Sequence, residues 1–125
     1  MKLTHKMPGD GSTRLRLKGR MDVAGTEAID QAFTSQAASH KAAVIVDLSE
    51  VDFLASIGIR TLLTSAKAQE HRGGRLVLLN PQPMVESVLA TAGVDTLIPI
   101  FRELDAALDD LRPVMREVVD EAGSA

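Results

Sequence analysis

Apolar and polar residues alternate with period two over residues 13–18, TRLRLK, the pattern of a strand with one wet face. The segment PGDG just before it is a turn signal, so the chain is expected to open with a hairpin whose first strand lies around Leu3. After Gly19 to Asp22 the period changes: Ile29, Ala32, Phe33 and Ala37 recur at three- and four-residue intervals and predict a helix packed on a sheet. Ala43 to Leu48 is an apolar run broken only by Asp47, as expected of a central strand covered on both faces. From Ser56, the positions Ile59, Leu62, Leu63 and Ala66 define one face of a second helix, and Gly73-Gly74 stops it. Arg75 to Leu79 reads as another buried strand. Pro83 to Ala92 reads as a short helix with Met84, Val85, Val88 and Leu89 inward and Gly93 as its cap. Thr96 to Phe101 is expected to be an edge strand, because Pro99 cannot donate to a ladder. Leu104, Ala107, Leu108 and Leu111 mark a last helix that Pro113 should kink or restart. The domain is therefore drawn over residues 1–112, with residues 113–125 a loosely docked helical extension fraying at Gly-Ser-Ala.

Strands alternating with helices imply an α/β fold with a mixed, mostly parallel sheet of about four to five strands and about four helices. A chain of 125 residues is of single-domain size and can bury a core without cross-links. It contains no cysteine, which excludes disulfides and thiolate metal or redox sites. No apolar run is long enough to span a bilayer, and MKLTHKMPGDG lacks the apolar stretch of a signal peptide, so a cytoplasmic protein without a membrane role is expected. A net charge of −3, with three Phe and neither Trp nor Tyr, argues against direct nucleic-acid binding.

The chemistry of the chain centres on Ser56, where a strand, a short loop and a helix start meet in VIVDLSEVDFLASIGIR. Free N–H groups and the helix dipole at that point would welcome a phosphate. Along the helix, Ser56, Arg60, Thr64, Lys67 and His71 form one polar, cationic stripe, and Arg60 lies one turn from the serine. On spacing alone, the commoner use of such a serine is as an N-cap.

The residues DLS at Asp47 to Ser49 and FLASIGI at Phe53 to Ile59 resemble the signature of STAS domains of the anti-sigma factor antagonist family. That signature is a strand with Asp-Leu-Ser, then Phe, a hydrophobic residue, Asp, Ser, Ser or Thr, Gly and Leu. GRMD at Gly19 to Asp22 is similar to the family's Gly-x-hydrophobic-Asp segment, and the resemblance extends over roughly Leu15 to Leu111. It implies a STAS-type single domain in which Ser56 is the phosphoacceptor and favours that role over the N-cap. Asp22, Ala55, Ile57, Gly58 and Arg60 would meet the partner, an anti-sigma factor serine kinase. The unphosphorylated protein would bind the kinase and the phosphorylated one release it, freeing a sigma factor for transcription. Ala55 stands where the family has Asp, and Ile57 where it has a second hydroxyl residue, so one serine remains in the loop. Gly58 matches and permits close approach of another backbone. For Asp22, helix N-terminal chemistry is as good a local reading as partner contact.

Other readings fall away or stay second. A receiver domain needs an acidic cluster at strand ends and a lysine after its last strand; Asp47 is the only acid ending an interior strand, and Arg102 follows Phe101. Neither GxxxxGK[ST] nor GxGxxG occurs. His5, His40 and His71 lack metal-ligand spacing and read as surface residues, and Glu103, Asp105, Asp109 and Asp110 as a solvated helix face. No nucleophile is paired with a base, so neither an enzyme nor a cofactor is expected. A constitutive, unphosphorylated subunit of a stress-signalling or lipid-transport complex remains open. So do a nucleotide or small-ligand pocket near Asp22 and Ser56, and a weak homodimer.

Overall fold

The computed structural model describes residues 1–123 as one five-stranded sheet flanked by helices. In chain order the elements are β1 (Lys2–Lys6), β2 (Ser12–Met21), α1 (Val23–Ala37), β3 (Ala43–Leu54) and α2 (Ser56–Arg72). There follow β4 (Arg75–Leu79), α3 (Pro83–Thr91), a 3-10 turn (Val94–Thr96), β5 (Ile100–Phe101) and α4 (Leu104–Gly123). The strands lie side by side in sequence order, β1 antiparallel to β2 and the other pairs parallel. The expected opening hairpin and the central place of β3 are both present.

Two cores sandwich the sheet. Leu15, Leu17, Val44, Val46, Leu48, Leu76 and Leu78 face the larger core, which receives Ile29 and Phe33 of α1, Leu62 of α2, and Val85 and Leu89 of α3. The opposite face of β3 and β4, with Ala43, Ile45 and Val77, packs on Ala107, Leu111 and Met115 of α4. Full burial of each large aliphatic side chain contributes about 1.5–3 kcal/mol before the entropy of ordering is counted.

The structure departs from the sequence expectations at several points. β3 does not end at Leu48 but runs on to Leu54: two bulges, each adding one β3 residue against β2 between Asp47 and Glu50 and between Val51 and Phe53, turn Leu48, Val51 and Leu54 all toward the core at a spacing of three while the pairing with β2 continues. The expected strand over Thr96 to Phe101 shrinks to Ile100 and Phe101, preceded by a 3-10 turn; Pro99 has no N–H, and its carbonyl accepts instead from Leu78 N–H at 2.9 Å. Ala32 is exposed, and Gly25, Thr26, Ile29, Phe33 and Ala37 form the buried stripe of α1. Met84 points to solvent, 69% exposed, since Val85 and Leu89 suffice to anchor the short α3. Helix α4 does not restart at Pro113: the proline is exposed, so its ring and the Asp109 carbonyl it leaves unpaired face water. The segment beyond Pro113 is docked, with Met115 buried and Lys41 clasping Glu117 and Glu121 at 3.0 and 2.8 Å. Ser124 and Ala125 of the expected fraying end lie outside the described residues.

Helix α2 is fixed at both ends. At its start Gly58 is buried against β2 and β3: a Cβ there would lie 2.7 Å from Met21 Cγ and 2.8 Å from Leu54 Cδ1. At its end the fully buried Gln69 donates from Nε2 to the carbonyls of Ala37 and His40 at 2.7 and 2.8 Å, and its Oε1 accepts from Ala42 N–H at 2.9 Å. Gly73 then closes the helix in the left-handed region at φ 81°.

Candidate functional site

Parallel pairing sets the ends of β2 and β3 side by side. Arg20 lies opposite Phe53 and Met21 opposite Leu54, and the Ala55 N–H donates to the Met21 carbonyl at 3.0 Å. The next residues along each strand, Asp22 and Ala55, are the N-caps of α1 and α2. Two helix starts therefore open on one edge of the sheet, which brings Asp22 into the neighbourhood of Ser56.

The two starts are chemically unlike. Asp22 caps α1, its Oδ1 accepting from Gly25 N–H at 2.7 Å, and Gly25 is obligatory because a Cβ there would sit 2.0 Å from the Arg20 carbonyl oxygen. The Gly25 N–H, with the Arg20 guanidinium 3.5 Å away, holds the Asp22 carboxyl below its ordinary range. The local reading of Asp22 as helix N-terminal chemistry is thus realised in the structure. At α2 the capping position belongs to Ala55, which has no side-chain oxygen, and Ser56 is the first helical residue; the N-cap reading of the serine is corrected. The Ala55 carbonyl accepts from Gly58 and Ile59 N–H at 3.0 and 3.1 Å, which leaves the N–H groups of Ser56 and Ile57 as the unpaired donors of the first turn. Ser56 is exposed at the positive end of a 17-residue helix.

Around the serine, Ala55 and Ile57 are half-buried, and Val23, beside Asp22, is 57% exposed. Gly58 is buried, and what approaches it closely is the Met21 and Leu54 side chains of the same chain rather than a second backbone. Arg60 is exposed with Thr64, Lys67 and His71, as the stripe predicted, and it lines a groove between α1 and α2 beside Asp30 and Thr34. Sequence reasoning missed Arg20 and Phe53, whose guanidinium and ring stack with 4.2 Å between Cζ and the ring centroid while Arg20 also pairs with Asp22. Only the strand register brings these two together. Asp47, of the DLS segment, accepts from Ser49 N–H at 2.9 Å and pairs with Arg16 at 3.2 Å, stabilising β3 away from the helix starts.

A mixed, mostly parallel sheet with three crossover helices on one face and a fourth on the other, and an exposed serine at the start of α2 beside the start of α1, describes a small α/β domain. The chain belongs to the STAS domain family, whose sequence profile matches residues 6–107. It is 29% identical over 98 residues to BtrV of Bordetella bronchiseptica, named as an anti-sigma factor antagonist, covering 78% of this chain and 84% of that protein. Its fold is similar to an anti-sigma factor antagonist from Mycobacterium paratuberculosis, with a TM-score of 0.79 and 25% identity over 89% of this chain and 93% of the other. It is also similar to the antagonist SpoIIAA in its unphosphorylated form, with a TM-score of 0.71 and 22% identity over 90% and 97% of the two chains. Among the described residues, no helix is long and apolar enough to cross a membrane.

Proposed function

We propose that this protein is a cytoplasmic anti-sigma factor antagonist that captures an anti-sigma factor serine kinase while Ser56 is free and releases it once Ser56 is phosphorylated. The observation that carries this reading is the placement of Ser56: exposed, first in an uncapped helix, beside the Asp22 edge of a STAS fold. The name carried by the Bordetella relative supports the antagonist role. SpoIIAA, similar in fold, exists in a phosphorylated form, which supports the fold's tolerance of the modification.

In the proposed step the Ser56 Oγ attacks the γ-phosphorus of ATP held by the kinase. The Oγ–P bond forms, the bond from that phosphorus to the ADP oxygen breaks, and the hydroxyl proton leaves to a base on the kinase. Phosphoserine adds nearly two negative charges. The first-turn N–H groups of α2 stabilise that charge in the free protein, and Arg60 is one turn away. In the complex, docking over Ser56 must strip water from the dianion, and without a matched cation on the kinase the penalty exceeds the few kcal/mol separating bound from free. Release follows from local charge, with α2 held in place by Gly58 and Gln69.

The test is intact-mass analysis of the protein incubated with its partner kinase and ATP, together with calorimetric titration of two variants. One phosphate is expected on Ser56. Ser56→Ala should take none and still bind, while Ser56→Asp should bind at least about tenfold more weakly, equivalent to about 1.4 kcal/mol. Phosphate on Ser49, Thr61 or Thr64, or equal affinities of the two variants, would remove the switch from Ser56.

A further inference from the structure

The face of the sheet opposite Ser56 is divided. Helix α4 covers β3 to β5 and, through Met115, the start of β2 at Gly11 and Ser12, while the outward side of the β1–β2 hairpin beyond Ser12 is left uncovered. In that hairpin Lys2 stands opposite Lys18, Thr4 opposite Arg16 and Lys6 opposite Arg14, so five cations share one face. Like charges directly across an antiparallel pair destabilise it, and a merely solvated face would be served better by mixed charges. Three acids relieve part of the repulsion: Asp10 pairs with Arg14 at 2.9 Å, Asp47 with Arg16 at 3.2 Å, and Glu50 lies 3.6 and 3.7 Å from Arg16 and Lys18. Lys2 and Lys6 make no ion pair among the described residues.

Where this cationic hairpin meets α4, the surface sinks into a trough of about 460 Å³. One wall carries Thr4, Lys6, Arg14 and Arg16 and the other Leu79 and Leu104, the latter 36% exposed; between them lie Ile45 and Asp47, whose carboxylate is paired with Arg16. Arg14 and Arg16 each use only some of their five N–H donors on the neighbouring acids, so both retain donors for a ligand. A flat cationic face would suit a polyanion. A concave one of this volume, mostly apolar in its lining, suits a small molecule.

We propose that the trough binds an organic anion, a carboxylate or phosphate head on an apolar body, with the head against Lys6, Arg14 and Arg16 and the body against Leu79 and Leu104. This site is independent of the Ser56 edge and of the antagonist reading.

The test is amide NMR of the full chain titrated with octyl phosphate, octanoate, octanol and inorganic phosphate. Octyl phosphate or octanoate should move the signals of Thr4, Lys6, Arg16 and Leu104 saturably, and the tighter of the two identifies the head group. Lys6→Gln and Leu104→Asp should each weaken that binding at least fivefold while the remaining spectrum stays in place. Octanol or inorganic phosphate binding as tightly as the amphiphiles, shifts scattered outside the trough, or a Lys6→Gln variant that binds normally would each overturn the assignment.

Discussion

Replacing Gln69 with leucine tests whether the tail of α2 is held by hydrogen bonds or by packing. Leucine is of similar bulk, so the cavity term is small, but three hydrogen bonds disappear. Ala42 N–H and the Ala37 carbonyl belong to residues 3% and 0% exposed and lose a partner that water cannot replace, whereas exposed His40 can rehydrate its carbonyl. At about 1–3 kcal/mol for each orphaned buried group, Gln69→Leu should cost about 2–6 kcal/mol, a large part of the 5–15 kcal/mol of a typical domain. Urea denaturation followed by circular dichroism should show a lower midpoint with an unchanged m-value. Gln69→Glu sharpens the test, because its second oxygen would face two carbonyls and only the protonated acid supplies a hydrogen. The folded-state pKa of that glutamate is therefore raised. Its stabilising contribution is present below the unfolded value of about 4.3 and lost as pH rises through the folded value. A loss below about 1 kcal/mol for Gln69→Leu, or a Gln69→Glu deficit that does not change with pH, would refute this account of the helix anchor.

The other expectations are simpler to state. Gly25→Ala should destabilise by about 1–3 kcal/mol despite alanine's better helix propensity, because the new Cβ meets the Arg20 carbonyl oxygen; thermal unfolding measures it, and an unchanged Tm would contradict the geometry. The Asp22 carboxyl titrates below its ordinary 3.8, so its contribution is complete above that value and fades as pH falls through the lower folded value. Carboxyl-carbon NMR should show the depressed titration, and Asp22→Ala should remove that part of the acid-side loss of stability. Ile57→Glu should weaken capture of the kinase at least about tenfold with circular dichroism intact, and an unchanged Kd would place the interface elsewhere.

The elements were legible where one period ran long enough to dominate. TRLRLK announced β2, and the apolar positions from Ile59 to Ala66 announced α2, because each face packs against something continuous. The second half of β3 was not legible: Ser49, Glu50 and Asp52 look like loop composition, and two bulges space the buried Leu48, Val51 and Leu54 by three, so no period of two marks the strand before its pairing with β2 is known. Gln69 escaped notice because a polar residue on a helix ordinarily faces water, and its partners lie 27 to 32 residues away. The continuity of α4 through Pro113 was not legible either, since the exposed position of the proline cannot be seen without knowing how α4 is rolled. At the candidate site the motif located Ser56 and Asp22, but the distribution of capping duties between Ala55 and Asp22 required coordinates. The cation over Phe53 required them too.

The overhang of β3 bears on how large a footprint a partner can have. Its pairing with β4 stops at Asp47, while its pairing with β2 continues to Leu54, so seven residues extend past the end of β4. Two of the seven are bulge residues, so the paired stretch of β2 is five residues, Leu17 to Met21, and at about 3.3 Å per residue this is a two-stranded arm about 17 Å long, bearing Ser56 and Asp22 at its tip. A protein that grips the tip meets two strand ends and two helix starts before it reaches α3 or α4. Contacts confined to that tip would fall at or below the roughly 1,200 Å² that separates standard from transient complexes. Under the proposed switch this small area is an advantage: one phosphate can undo a handful of contacts, but not a broad interface spread over the body of the domain.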